Sequence, residues 1–213
     1  MLHHDPLDLT NLTKLMQFSS GTPNVKIGLV DGPVSLEYPD LFGQNIRGIA
    51  NESSYCAQIS STACSHGTFV AGILSAKRGN IAPAICPECT LLLRPIFSET
   101  PKDSEQMPEA TPAELAAAIL DCIVAGSNVI NLSVALAQPS STRERKLEEA
   151  LDYAARRGVI VVAASGNQGT IGSSAITRHP WVIPVVACNF KGTPLGMSNL
   201  GFSIGRRGIS APS

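Results

Sequence analysis

The sequence predicts an α/β fold of three layers, built on a doubly wound and mostly parallel sheet. Three observations predict it. Short aliphatic runs recur along the chain, separated by stretches with helical periodicity. Only 15% of the 213 residues are charged, against roughly 25% in an average soluble domain. Hydrophobic residues reach 44%, as expected where parallel strands are buried on both faces.

The elements follow in order. Residues 1–24 read as an N-terminal extension with a short helix near Leu9 to Phe18, and residues 25–213 as one domain. Val25 to Val30 (VKIGLV) is the first predicted strand. Leu91 to Phe97, Val129 to Leu132, Val159 to Ala164 and Val182 to Ala187 are the others, all short and aliphatic. Thr111-Pro112-Ala113-Glu114 is a capping box with proline at the first helical position. Its helix runs through Leu115, Ile119 and Cys122 and stops at Gly126. A second helix is expected over Thr142 to Arg157, closed by Gly158. There Leu147, Ala150, Leu151 and Ala154 form an apolar stripe, with Arg143, Arg145, Glu148 and Arg156 on the solvent side. Asn51 to Ser65 and Ser98 to Thr111 read as loops. In such a sheet a site forms at the C-terminal strand ends, which directs attention to the residues after Val30, Leu132 and Ala164.

Several function classes are excluded. Sixteen basic and seventeen acidic side chains give a net charge of -1, too neutral for a broad nucleic-acid face. No apolar run reaches the ~18 residues of a membrane-spanning helix. Met1 to Thr10 lacks the basic start and apolar stretch of a signal peptide, which favours the cytoplasm over export while leaving the compartment open. No phosphate-binding glycine loop follows the first strand, and no cofactor is expected. The sequence carries no signal of oligomeric state.

Three segments carry chemistry. Asp31 ends an apolar strand and precedes Gly32-Pro33. A buried carboxylate there needs a partner, although Asp-Gly-Pro is also turn chemistry. His66-Gly67 opens a helix of small apolar residues through Gly72-Ile73, and both glycines suit close packing. Asn167 lies in Ser165-Gly166-Asn167-Gln168-Gly169, directly after VIVVAA. It reads either as a turn or as an amide donor aimed into a cleft.

Together these segments resemble the subtilisin-like serine proteases, the subtilases (peptidase S8). HGTFVAGIL is the most specific piece. VKIGLVDGPV, IAPAICPECTLLLRPIF, VINLSVA, VIVVAASGNQG and GISAPS agree with it in order. Asp-Gly-Pro-Val is similar to the precursor-peptide-processing proteases of cyanobactin-type pathways. The resemblance implies a subtilisin-like fold and an endopeptidase acting on a peptide or protein substrate. It implies that His66 is the general base, that Asp31 orients it, and that Asn167 donates to the oxyanion. Ser133, Val134 and Ala135 would bind substrate backbone. Ala163, Ala164 and Gly166 would line the pocket for the residue before the scissile bond.

The chain also departs from the pattern. Gly32 stands where many subtilases have Ser or Thr. Ser133-Val134-Ala135 lacks the usual glycine, and Ser213 stands in place of another. No Gly-Thr pair, at Gly21, Gly67, Gly169 or Gly192, is followed by Ser. The resemblance therefore places the nucleophile after Ser213, in a part of the protein beyond this sequence. The alternative is a catalytically inactive peptide-binding module.

The cysteines leave several states open. Cys56, Cys64, Cys86 and Cys89 fit disulfides, free thiols, a redox pair or a four-thiolate zinc site. Cys122 and Cys188 read as small core residues. His3 and His4 sit near the terminus, and His179-Pro180-Trp181 reads as a structural corner. No calcium loop is recognisable, and no metal ligand is assigned.

Overall fold

Strand β1 (Lys26–Asp31) is an interior strand, third from one edge of the sheet, in the computed structural model, which describes residues 5–49, 54–79, 83–99, 110–136 and 144–213. The other strands are β2 (Ile46–Gly48), β3 (Thr90–Pro95), β4 (Val129–Leu132), β5 (Ile160–Ala164), β6 (Val182–Cys188) and β7 (Ile209–Pro212). The seven form one sheet in the order β2-β3-β1-β4-β5-β6-β7, and every pairing is parallel. The winding reverses at β1, so its C-terminal end faces a topological switch point.

Alternation along β1 supplies both faces. Ile27 and Leu29 pack with Leu91, Leu93 and Ala71 in one core, the Ala71 side belonging to helix α3 (Thr62–Ser75). Val30 joins Ile130, Leu132, Val161 and Ala163 in the other core, beneath α4 (Pro112–Val124) and α5 (Arg145–Arg157). The remaining helices are short: α1 (Pro6–Leu9), α2 (Leu12–Phe18), α6 (Ala175–Arg178) and α7 (Phe202–Arg207).

The sequence reading agrees at most joints. The Thr111–Glu114 capping box forms in both directions. Leu147, Ala150, Leu151 and Ala154 are all buried, and Gly158 caps α5 in left-handed backbone. His179 is buried and bonded to Asp152, and Trp181 donates to the Val159 carbonyl, making the expected corner.

Other expectations change. The predicted N-terminal helix is two helices, broken at Asn11, whose backbone is left-handed. Burial on both faces holds for β1 and β3, whereas β4, β5 and β6 alternate buried with half-buried or exposed residues. Glu148 is half-buried against Arg178 and does not face open solvent. The strands β2 and β7 carry too few apolar residues to be read locally. The loop expected over Asn51 to Ser65 ends early, because Ser61 caps α3 and Thr62 begins it. His3 and His4, residues 100–109 of the second expected loop, and Thr142 and Arg143 lie outside the described residues.

Candidate active site

Parallel register places three strand ends in one row. Val30 pairs with Leu132, and Leu132 with Ala163. Asp31, Ser133 and Ala164 therefore leave β1, β4 and β5 side by side.

Asp31 is fully buried. Its Oδ1 accepts from the Gly32 amide at 2.6 Å and faces His66 Nδ1 at 2.7 Å. Its Oδ2 is buried with no hydrogen-bond partner among the described residues. Gly32, lacking a hydroxyl, has nothing to donate to it. The His66 side chain remains 42% exposed, and its Nε2 makes no hydrogen bond among the described residues. The hydrogen bond to Asp31 raises the imidazole pKa above its usual value; the Asp31 charge adds to this and burial opposes it. His66 is thus anchored by one nitrogen and open at the other.

His66 is the fifth residue of α3 and not its first, as the sequence had suggested. Thr62 to Ser65 supply the preceding turn. A side chain on Gly32 would overlap the Ala63 carbonyl, and one on Gly67 would overlap the Gly32 and Pro33 carbonyls. Two missing Cβ atoms let α3 lie against the end of β1. Gly72 has open space around it and plays no part in this contact, which corrects the expectation that both helix glycines serve close packing.

Cys56 and Cys64 are joined in a disulfide. Their thiolates are consumed, so the four-thiolate zinc site does not form. Beside them the Glu99 carboxylate accepts from the Ala57 and Gln58 amides at 2.8 Å and from Ser61 Oγ at 3.2 Å. The bridge and this carboxylate brace the entry to α3. Cys86 and Cys89 are free thiols. Burial, and next the adjoining Cys89, push the Cys86 thiol pKa upward, which works against thiolate chemistry there. Cys122 and Cys188 are buried, as expected.

Asn167 sits three residues beyond β5. Its side chain is exposed and makes no hydrogen bond among the described residues. Gly166 precedes it with φ +104°, a backbone that side chains rarely adopt. A Cβ on Gly166 would also stand 3.0 Å from the Ala135 Cβ. Gly166 thus packs closely against Ala135. Ser133 Oγ accepts from Asn131 at 2.7 Å. Val134 and Ala163 are buried in the core, so there only the backbone is available to a substrate. Ala164 and Ala135 are half-buried.

A cavity of about 500 Å³ lies beside this row, lined by Pro33, Tyr55, Arg94, Phe97, Glu99 and Glu114. Its charges are already engaged. Arg94 pairs with Asp121 at 2.7 Å, Glu114 with the α4 cap and Glu99 with the turn before α3. Sequence reading missed Glu99 and Asn199, the latter holding the Asn167 loop. Neither lies in a local motif, and their partners are 29 or more residues away.

Comparisons with known proteins identify the family and the fold. The profile of the Subtilase family matches residues 22–212. A thermophilic serine proteinase of Bacillus sp. (strain AK1) is 28% identical over 185 residues, covering 86% of this chain and 43% of the relative. The chain thus spans less than half of that relative's length. Among solved structures, the protease domain of PatA, solved as a mutant, has a TM-score of 0.80 and 30% identity over 90% of this chain and 68% of its own. The prenylagaramide maturation protease PagA has a TM-score of 0.80 and 26% identity, over 94% of this chain and 67% of its own.

Proposed function

The chain belongs to the subtilase family, and from that premise we propose that it carries the acid–base and oxyanion parts of a serine endopeptidase site. The observation that carries this reading is the Asp31–His66 pair. Nδ1 is held by a fully buried carboxylate at 2.7 Å, while the ring stays open at Nε2.

In this reading Asp31 fixes the tautomer with its proton on Nδ1 and stabilises the imidazolium. His66 Nε2 takes the proton of a serine hydroxyl encoded after Ser213. The serine oxygen attacks the scissile carbonyl carbon, and Asn167 donates a hydrogen bond to the oxygen that gains charge. Collapse breaks the C–N bond, and His66 returns its proton to the leaving amine. Water then repeats the sequence on the acyl-enzyme. The backbone of Ser133 to Ala135 pairs with an extended substrate. The backbone of Ala163, with Ala164 and Gly166, walls the pocket for the residue before the cut. The maturation role in the name of PagA, with Asp-Gly-Pro-Val here, supports a precursor peptide as substrate.

The test uses the gene product together with the residues following Ser213. A serine-directed fluorophosphonate should label it, and His66→Ala should abolish labelling. Peptide binding without labelling or turnover would support a non-cutting peptide-binding module instead.

A further inference from the structure

The loop that presents Asn167 is tied down on every side except at Asn167 itself. One buried residue makes most of the ties. Asn199 is 6% exposed and lies 32 residues further along the chain, just before α7. Its Nδ2 donates to the Ser165 carbonyl at 3.1 Å and to Gln168 Oε1 at 2.7 Å. Its Oδ1 accepts from the Gln168 amide at 3.1 Å and the Thr170 amide at 3.0 Å. Its own backbone amide donates to the Gly166 carbonyl at 2.9 Å. Two further backbone bonds extend the seam, from Gly169 to the Met197 carbonyl at 2.7 Å and from Leu200 to the Thr170 carbonyl at 2.9 Å.

The chemistry of the position is restrictive. It needs two donors and a double acceptor in one plane, which is the inventory of a carboxamide. The orientation is set by the network, since two amide N–H groups converge on Oδ1 and a carbonyl faces Nδ2. Aspartate would keep the acceptor and lose both donors. Alanine would remove a partner from the buried Ser165 carbonyl, from the half-buried Thr170 amide and from the Gln168 amide and side chain.

We propose that Asn199 is a positioning residue for catalysis. It fixes residues 165–170 so that the unbonded Asn167 carboxamide projects into the cleft at the end of β5. Asn167 pays no cost to break an internal bond, and the loop need not reorganise as charge develops. This inference rests on the reading of Asn167 as an oxyanion donor.

The experiment is a double-variant cycle on the gene product extended past Ser213, measured with a peptide substrate. Asn167→Ala should lower kcat by about 10²–10³-fold with KM little changed. Asn199→Ala should lower kcat at least ~10-fold with KM within about twofold, since a misplacement of about 1 Å costs as much as 10²-fold. Combined, the two should cost no more than Asn167→Ala alone. Asn199→Asp should fall between wild type and alanine, and it completes the cycle if the alanine variant does not fold. Hydrogen exchange should quicken at the Gln168 and Thr170 amides in Asn199→Ala and stay unchanged in β1 and α5. Unchanged kcat in a folded Asn199 variant overturns the proposal, as do losses that multiply in the double variant. If Asn167→Ala leaves kcat intact, the oxyanion reading itself fails. The exchange result then still reports whether Asn199 holds the loop.

Discussion

The α-carbon of Gly67 rests against the carbonyl of Gly32, and this contact sets how closely α3 approaches the end of β1. It is the steric basis of the 2.7 Å bond between His66 and Asp31. A side chain at either glycine would have to move backbone, because the blocking atoms are carbonyl oxygens.

Alanine at Gly32 or Gly67 should therefore destabilise the fold by about 1–3 kcal/mol and lengthen the Asp31–His66 contact. Alanine at Gly72, in open space on the same helix, should stabilise by roughly 0.5–1 kcal/mol. Urea unfolding of the three variants gives the comparison. Equal effects at Gly67 and Gly72 would show that the close approach is not what Gly67 serves.

The His66 imidazole should titrate above the usual value of about 6.5, and Asp31→Asn should bring it down. Because the folded pKa is raised, the stabilisation from this pair is full below the unfolded pKa. It is lost as pH rises through the folded pKa. With His66 acting as the proposed general base, turnover needs the neutral ring and should rise over the same interval. NMR titration of the His66 ring protons checks the shift directly, and a midpoint at or below 6.5 would contradict it.

Denatured protein should present four titratable thiols, Cys86, Cys89, Cys122 and Cys188, and two more after reduction. Replacing Cys56 and Cys64 with serine should cost about 2–3 kcal/mol, the loop-closure value for so short a ring. The loss should appear first as faster hydrogen exchange in the first turn of α3. Thiol counting and exchange mass spectrometry read both.

Arg78 should be the anchor of the N-terminal helices. Its guanidinium donates to the carbonyls of Ser19, Ala84 and Ile85, with Met16 O and Ser20 Oγ completing the fork. Lysine cannot reproduce a planar fork of five donors. Arg78→Lys should therefore speed proteolysis between α2 and β1 while leaving the His66 titration unchanged. A proteolysis rate equal to wild type would remove Arg78 from this role.

Much of this was legible in local sequence. The five main strands announce themselves as aliphatic runs: β1 and β3 because they are buried on both faces, and β4, β5 and β6 because β-branched and aliphatic residues suit a pleated, half-buried surface. The Thr111–Glu114 box and Gly158 mark helix ends because caps are made within a few residues. β2 and β7 were not legible, since a three- or four-residue edge strand is defined by its partner and not by its composition.

The sequence by itself determined the α/β class and the order Asp31, His66, Asn167 along it. Those facts reside in apolar periodicity and in short motifs, which are local. Only the tertiary structure decided that Cys56 bonds Cys64, that Gly67 and not Gly72 meets β1, and that Asn199 holds the loop around Asn167. Each of these depends on which atoms of distant segments come within a few ångströms. Packing and hydrogen-bond geometry settle that, because a buried polar group is stable only where a partner is present.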